Sequence, residues 1–486
     1  MPTAIRRLSP PDLLVAGAVA VFAVYFSVIT LGVHHGLGTS SYDSALYDQG
    51  VWLLSRFDAP FVTLMGRNLF GDHSSFILVF LVPLYWVAPG AWILFVSQAT
   101  AVALGAVPVY WHARRRLGAG WPAAVMALVY LGHPALSWTV MENFHPDSFT
   151  AVFVAGAIWA ATERRWRPYA VCVVLALLVK EDVSLVVVPL GIWVALERRW
   201  RVGVATVIGS IGFMLVAMFA VMRSLIGVPT RNTWRIPFDG PTGFIRTALT
   251  DPTRVIDHLR SDGRLWYLWQ MLAPVGFVFL RAPGVALISG LVLFTNILST
   301  FWYQYQIEYH YSLIAVPAIV MGATWAISAM RSEARRRALV LVVAATAVTS
   351  ALWSPMPWSR VQPGSWGRDH PVAVSARDVV GRVPDGVSVA AHHRLTPHLA
   401  YRSEIYQFPN PFRVVLYGVD NSLEGTRLAD RALRLVLLER VEEGVDIVGG
   451  AADEPHPLIV GVVSLPGEDA VDGVAVDGDA LVVGER

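Results

Sequence analysis

The sequence has little charge for its length. Asp, Glu, Lys and Arg make up 15% of its 486 residues, whereas hydrophobic residues make up 55%. A soluble globular protein carries about 25% charged residues, so this chain lacks the charge needed to cover a water-facing surface of its size. The composition therefore argues against a wholly soluble protein and predicts a chain whose main solvent is the lipid bilayer.

Cysteine and lysine are almost absent. The one cysteine, Cys172, has no partner within the chain, so an outward-facing domain must be stable without a disulfide. The one lysine, Lys180, stands out because arginine supplies all the other positively charged side chains apart from histidine. The net charge is only +2, so no strong positive field indicates a nucleic-acid partner.

Long apolar runs are present instead, and arginine clusters separate them. Because arginines favour the cytoplasmic side, an even number of crossings should lie between neighbouring clusters. This predicts about eleven spans in a plasma-membrane protein with a cytoplasmic N-terminus. The first apolar run is too long for a signal peptide, so we expect a retained span. The predicted spans are 12–31, 91–113, 121–140, 148–162, 168–179, 183–196, 202–226, 266–280, 284–300, 312–330 and 338–353.

The chain changes character after the last predicted span. Residues 1–353 form the predicted all-α membrane bundle with outer loops at 32–74 and 227–265, and residues 354–486 form an extracytoplasmic domain. Short β-like runs in that domain alternate with a helical pattern, which predicts a small α/β fold. The predicted strands are 387–390, 405–408, 414–417 and 458–463, and the predicted helix lies within 425–443.

In this topology, four outer segments carry carboxylates, and three of them also carry histidine. Polar loops meet water in any membrane protein, so each residue taken alone also has a purely structural interpretation. The candidate site residues are Asp43, Asp48, Arg56, Arg67 and His73 in the first loop, Glu142, His145 and Asp147 in the second, Lys180, Glu181 and Asp182 in the third, and Glu308 and His310 in the fourth.

The Lys180-Glu181-Asp182 triplet is the hardest to interpret as an ordinary loop. It lies between apolar halves of 12 and 14 residues, which are too short to cross a hydrocarbon layer of about 30 Å. Charges placed in the membrane cost at least about 2.5–3.5 kcal/mol each, and they usually mark function. The structural alternative is a self-neutralising ion cluster that holds helices together.

Three classes of function fit these residues. A carboxylate acting as general base and a lysine or arginine holding a lipid phosphate would together support glycosyl transfer. Buried charges could instead line the path of a transporter or flippase. A non-enzymatic assembly protein could use its outer domain for binding, with His392, His393 and His398 as an interaction or metal patch. His145, flanked by Glu142 and Asp147, allows a divalent metal, although no cofactor is required by the spacing.

Five motifs carry a resemblance to a known family. The chain resembles domain-of-unknown-function family 2079 of predicted membrane proteins and, more loosely, the GT-C glycosyltransferases. The motifs are Y-D-S-A-L-Y-D-Q at 42–49, G-D-H at 71–73, N-F-H-P-D at 143–147, K-E-D at 180–182, and T-P-H-L-A-Y-R-S-E-I-Y-Q-F-P at 396–409.

This resemblance implies an inverting membrane glycosyltransferase that uses a polyprenyl-phosphate sugar as its lipid partner. The acid of the first outer loop would be the base, which falls on Asp43, with Asp48 as second candidate. The acid of the second outer turn falls on Asp147 or Glu142. Lys180, helped by Arg56 or Arg67, would bind the phosphate, and the other candidates would line the pocket. The paired acidic motifs of oligosaccharyltransferases are not cleanly present, which leaves metal dependence open.

Overall fold

The computed structural model describes residues 8–118, 120–226, 233–361, 367–408 and 410, together with the backbone of three later strands. The strand predicted at 414–417 lies outside these residues. Most of the described chain is helical. The α-helices are α1 (Pro10–His35), α2 (Leu46–Ser55), α3 (Leu69–Asp72), α4 (Val82–Val87), α5 (Trp92–Leu104), α6 (Ala106–Leu117), α7 (Gly120–Leu131), α8 (Pro134–Met141), α9 (Thr150–Thr162), α10 (Trp166–Leu177), α11 (Ser184–Glu197), α12 (Trp200–Val216), α13 (Arg223–Ile226), α14 (Gly240–Thr250), α15 (Pro252–Arg260), α16 (Arg264–Leu272), α17 (Gly290–Leu298), α18 (Val316–Ser328), α19 (Ser332–Trp353) and α20 (Pro371–Gly381).

Five helical stretches of the described chain are long and apolar enough to cross a membrane. They are Pro10–His35, Trp92–Leu117, Trp200–Ile226, His310–Ser328 and Ser332–Trp353. The pair α7 and α8 makes a sixth candidate that bends by 45°, at a break where Pro134 begins the second helix. A mostly helical multi-pass membrane protein is therefore confirmed. The predicted number of about eleven spans stays a prediction.

The chain divides into two compact units by its internal contacts. Residues 1–31 and 68–364 form the first, called the helical unit, and residues 32–67 and 365–486 form the second, called the mixed unit. The predicted boundary at 353/354 concerns which residues meet lipid and which meet water, so it is a separate matter and stays a prediction.

Helix α18 lies at the core of the helical unit. Every residue from Val316 to Thr324 is buried. Gly322 allows a close approach, because a Cβ there would lie 2.6 Å from the Cβ of Ala286. Small residues permit this close approach. Within a membrane, helices associate largely through van der Waals packing, so close contact between their backbones is favourable.

A second tight contact joins α11 and α12, the two helices that follow the Lys180-Glu181-Asp182 triplet. A Cβ at Gly203 would overlap the backbone nitrogen of Ala195 and the carbonyl oxygen of Gly191. Both obstacles are backbone atoms, so they cannot turn aside as a flexible side chain would. The helices can keep this distance only with glycine at 203.

We expect Gly203→Val to destabilise the protein by about 1–3 kcal/mol, because it overpacks this crossing. Gly209→Val is the matched control, since Gly209 lies on the same helix and a Cβ there meets nothing within 4 Å. Thermal unfolding of both variants in detergent checks the prediction. Equal midpoints for the two variants would contradict it.

The arginine clusters that follow neighbouring spans meet around Trp325. The guanidinium carbon of Arg116 lies 3.3 Å from the centre of the Trp325 ring, and that of Arg198 lies 4.9 Å from it. Arg115 pairs with Glu163 at 3.5 Å. The clusters of three successive loops therefore share one end of the helical unit, as even numbers of crossings between them require. Which side of the membrane this end faces stays a prediction.

The mixed unit contains a five-stranded sheet with the order β4-β3-β7-β5-β6. Neighbouring strands are parallel except for the antiparallel pair β5–β6. The strands of the described chain are β1 (Phe61–Val62), β2 (Arg67–Asn68), β3 (Val389–Ala391), β4 (Ile405–Gln407), β5 (Arg434–Val441), β6 (Gly444–Val448) and β7 (Leu458–Val462). Three predicted strands coincide with β3, β4 and β7.

The helix predicted within 425–443 is wrong where the structure describes it, because residues 434–441 form strand β5. The four consecutive apolar residues at 435–438 fit a helix face and a fully covered strand equally well by sequence. Their place between β7 and β6 decides for the strand. Residues 425–433 lie outside the described chain, and an α/β fold for the whole of 354–486 stays a prediction.

Candidate functional site

Four loop segments of the helical unit meet in one group of polar side chains, called the charged cluster below. The segments are 72–74, 142–147, 180–182 and 310–311. They are joined by contacts of His73 with Glu181, of Lys180 with Asp147, and of Glu142 with His310. Four of the outer segments predicted to carry the site thus come together. The roles of their residues stay predictions.

Lys180 lies in the middle of the charged cluster. It follows α10 and precedes a short 3₁₀ turn at Glu181–Val183, so it projects from a non-helical position between two helices of 12 and 14 residues. Its ammonium lies 3.6 Å from Asp147 Oδ2 and 3.7 Å from Asp182 Oδ2. Lys180 is 4% exposed. A cation buried to this degree needs its two carboxylates, because an unpaired charge there would be very costly.

Asp147 and Asp182 differ in their surroundings. Asp147 is buried, and burial alone would raise the pKa of its carboxyl. The ammonium of Lys180 and the nearby imidazoles of His310, His145 and His73 together outweigh this and hold the pKa of Asp147 below its usual value. Asp182, with its side chain 43% exposed, is the more accessible of the two carboxylates. Lys180 therefore pairs with one buried carboxylate, that of Asp147, and with a second, that of Asp182, which a ligand could reach.

Glu181 points toward a different partner. Its Oε1 lies 2.7 Å from His73 Nδ1, and its Oε2 accepts a hydrogen bond from the Ser74 backbone N–H at 3.0 Å. Asp72 Oδ2 lies 3.8 Å from the other nitrogen of the His73 ring. Glu181 and His73 were predicted to bind substrate. In the structure they join the end of the first loop to the turn after α10, and their predicted role in substrate binding stays a prediction.

The third part of the charged cluster consists of Glu142, His145 and His310. Glu142 Oε2 lies 3.3 Å from His145 Nε2 and 3.3 Å from His310 Nδ1, and it accepts a hydrogen bond from the His310 backbone N–H at 2.9 Å. Burial alone would raise the pKa of Glu142, but the two imidazoles hold it below its usual value. The three ligand atoms lie within 4.8 Å of one another, so this group could hold a metal ion.

Glu308 lies two residues before His310 and is half-buried. Burial raises the pKa of its carboxyl. Its predicted role in substrate binding stays a prediction.

Gln98 organises the turn that carries Glu142 and His145, and the sequence analysis missed it. Its amide nitrogen donates to the backbone carbonyls of Thr139, Val140 and Asn143 at 2.8–3.3 Å, and its oxygen accepts from the His145 N–H at 2.8 Å. Gln98 is fully buried within the apolar helix α5. A lone amide in an apolar run is the signal that could have identified it, because a buried polar group must find partners.

Asp43 belongs to the mixed unit and precedes helix α2. Its backbone has φ 72° and ψ −59°, which a non-glycine residue rarely adopts. Such a conformation costs about 1–3 kcal/mol, and it clusters at functional sites. The strained backbone is therefore an observation in favour of Asp43 that the sequence could not supply.

Asp48 follows Asp43 by five residues and is buried in the first turn of α2. The Tyr401 hydroxyl donates to Asp48 Oδ1 at 3.2 Å, and the neighbouring Gln49 amide donates to the carbonyls of Arg402 and Ser403 at 3.2 and 3.3 Å. The motif at 42–49 and the described part of the later motif, 396–408, are therefore packed together, although some 350 residues separate them in the chain. Asp43 as base, with Asp48 as second candidate, stays a prediction.

The remaining candidates of the mixed unit are spread over it. Arg56 is exposed and lies over the Trp52 ring at 5.7 Å, whereas Arg67 is buried. Their predicted contact with a phosphate stays a prediction. His398 stacks on His34 with ring centres 4.2 Å apart, and His392 and His393 contact each other. A metal or interaction patch formed by these histidines also stays a prediction.

Comparison with solved structures shows what the fold is similar to. The structure of ArnT from Cupriavidus metallidurans in the apo state has a TM-score of 0.52 at 14% identity, covering 82% of this chain and 86% of that one. The same protein bound to undecaprenyl phosphate has a TM-score of 0.49 at 14% identity, with the same coverage. The oligosaccharyltransferase of Archaeoglobus fulgidus in its apo form has a TM-score of 0.38 at 12% identity, covering 80% and 64%.

These neighbours are GT-C glycosyltransferases, so the predicted resemblance is confirmed at the level of the fold. At such low identity the likeness carries no information on substrate. No curated protein matches this chain.

A family model gives the more specific match. The model of the predicted membrane proteins called DUF2079 matches residues 33–424, which is most of the chain. The matched region contains every candidate residue from Asp43 to His310 and the motif at 396–409. The chain therefore belongs to the DUF2079 family of predicted membrane proteins.

Proposed function

We propose that this protein is a membrane glycosyltransferase that transfers a sugar from a polyprenyl-phosphate donor to an acceptor at the outer leaflet. The observation that carries the proposal is the buried ammonium of Lys180, held among carboxylates where four loops meet in a GT-C-like fold. Buried charge at the end of a membrane helix is costly and usually marks function.

Lys180 is proposed to bind the donor phosphate. Its separations from Asp147 and Asp182 are longer than the about 2.7–2.9 Å of a direct charge-assisted hydrogen bond. A phosphate oxygen that approaches the ammonium would therefore compete with long contacts to these two carboxylates. A lysine is suited to this role because it acts on phosphate as a compact point charge.

Asp43 is proposed to be the general base. The acceptor hydroxyl attacks the anomeric carbon of the sugar, its proton passes to the Asp43 carboxylate, and the bond from that carbon to the phosphate oxygen breaks. The electron pair of this bond stays on the lipid phosphate, where Lys180 stabilises the added charge. Attack from the side opposite the phosphate inverts the anomeric centre.

The donor class is supported by one neighbour. ArnT from Cupriavidus metallidurans, whose fold is similar, has been crystallised with undecaprenyl phosphate. His73, Glu181, Glu308 and the arginines at 56 and 67 are proposed to complete the pocket or to position it.

Turnover of lipid-linked sugars by the purified protein tests the proposal. The protein is placed in lipid nanodiscs with a panel of undecaprenyl-phosphate sugars, and the release of undecaprenyl phosphate is followed by mass spectrometry. We expect release from at least one donor, which heat-denatured protein does not give. If no donor is consumed but a labelled lipid-linked sugar crosses the bilayer of proteoliposomes, the protein is a flippase and the proposal is wrong.

A further inference from the structure

We propose that Glu142, His145 and His310 form a binding site for a divalent transition metal, with zinc as the preferred ion. The site does not depend on the transferase reaction, because its evidence is the arrangement of three side chains. Two histidine nitrogens and one carboxylate oxygen lie within 4.8 Å of one another. The same donor set holds catalytic zinc in several unrelated proteins.

The separations between these atoms also match those between the ligands of one metal ion. A tetrahedral zinc ion with ligand bonds of about 2.0–2.1 Å holds neighbouring ligand atoms about 3.3 Å apart. Glu142 Oε2 lies 3.3 Å from His145 Nε2 and 3.3 Å from His310 Nδ1. Both contacts are thus at the spacing that a shared ion requires.

The ligands are held in place before any ion arrives. Gln98 fixes the turn of Glu142 and His145 by its hydrogen bonds to three backbone carbonyls and to the His145 N–H. The His310 backbone N–H donates to Glu142 Oε2, which joins two segments 168 positions apart. Such supporting contacts around a metal site orient its ligands and raise its affinity.

Charge and burial favour a cation here. His145 is 1% exposed and His310 is 8% exposed, and their rings stack with centres 3.6 Å apart. Nearby, Asp147, Glu181 and Asp182 add three carboxylates against the single ammonium of Lys180. A divalent ion would offset this excess of negative charge.

The donor set also selects the kind of ion. Imidazole nitrogens suit zinc and other late first-row metals, whereas magnesium and calcium prefer oxygen ligands throughout. Three protein ligands leave one position of a tetrahedral site for water or for an oxygen of a bound molecule. Zinc should therefore bind much more tightly than magnesium.

Metal content of the full-length protein tests this inference. The protein is purified without a polyhistidine tag, dialysed against zinc at low concentration, and analysed by inductively coupled plasma mass spectrometry. We expect about one zinc per chain. Glu142→Gln, His145→Gln and His310→Gln should each weaken zinc binding at least about tenfold, since each removes one ligand.

A double variant, His392→Gln with His393→Gln, is the control, because it removes two histidines that lie in the mixed unit. It should keep its zinc. Loss of zinc in this control, with retention in the His145 variant, would place the metal elsewhere and overturn the inference.

X-ray absorption of the zinc-loaded protein tests the site without any variant, in case a substitution prevents folding. We expect two imidazole nitrogens at about 2.0–2.1 Å. If the protein takes up no zinc, or if the bound zinc has fewer than two imidazole ligands, the inference is wrong. Neither result bears on the transferase proposal, whose test is release of undecaprenyl phosphate.

Discussion

Replacing Asp43 by asparagine is expected to lower the rate of sugar transfer by about two to four orders of magnitude, the range that general-base catalysis supplies. The amide of asparagine cannot take the proton of the acceptor hydroxyl. Asparagine tolerates positive φ as aspartate does, so the strained backbone at position 43, with φ 72°, is kept. Release of undecaprenyl phosphate per unit time measures the rate, and thermal unfolding shows that the variant folds.

Asp48→Asn is the matched control for this variant. Asp48 lies five residues further along and accepts the Tyr401 hydroxyl, and an asparagine oxygen can still accept that hydrogen bond. We expect the rate of this control to stay within about tenfold of the wild-type rate. If Asp48→Asn loses activity and Asp43→Asn keeps it, the base is Asp48. If both variants keep full activity, neither carboxylate is the base.

Replacing Lys180 by methionine is expected to have the second large effect. The substitution keeps the length of the side chain but removes the cation from between Asp147 and Asp182. Removing one partner of a buried ion pair costs about 3–5 kcal/mol, because the other charge is left uncompensated. We therefore expect a markedly lower unfolding temperature together with loss of undecaprenyl phosphate binding. Thermal unfolding and equilibrium binding of the lipid measure the two effects.

A second substitution separates structure from phosphate binding. In Lys180→Met combined with Asp147→Asn, the buried carboxylate is neutral, so much of the lost stability should return. If Lys180 holds the donor phosphate, binding of undecaprenyl phosphate stays weak in this stable double variant. If Lys180 is only the centre of a structural ion cluster, the double variant binds the lipid as the wild type does. That result would end the role proposed for Lys180.

Helices with long apolar windows could be predicted well from the sequence. The predicted spans 12–31 and 202–226 correspond to Pro10–His35 and Trp200–Ile226. The short apolar halves around Lys180 are also close to the helices Trp166–Leu177 and Ser184–Glu197. Hydropathy is a local property of the chain, and the bilayer sets the length that an apolar helix needs.

Strand β5 and the hydrogen bonds by which Gln98 holds the turn of Glu142 and His145 could not be predicted in the same way. The apolar run at 435–438 has no period that separates strand from helix, and only its neighbours β7 and β6 decide. The structural role of Gln98 depends on hydrogen bonds to three backbone carbonyls that lie more than 40 residues away in the chain. Likewise, the packing of the motif at 42–49 against 396–408 depends on contacts that no local pattern records.

Membrane location, the approximate course of the longest apolar helices and the polar residues that interrupt them follow from the sequence alone. These features follow from composition and local hydropathy, because each apolar segment must meet lipid or another such segment. Three features depend on tertiary packing: Glu142 faces His310, Lys180 lies between two aspartates, and Asp43 has a strained backbone. Side chains from distant loops can interact or act on the same ligand only when packing brings them within a few ångströms of each other.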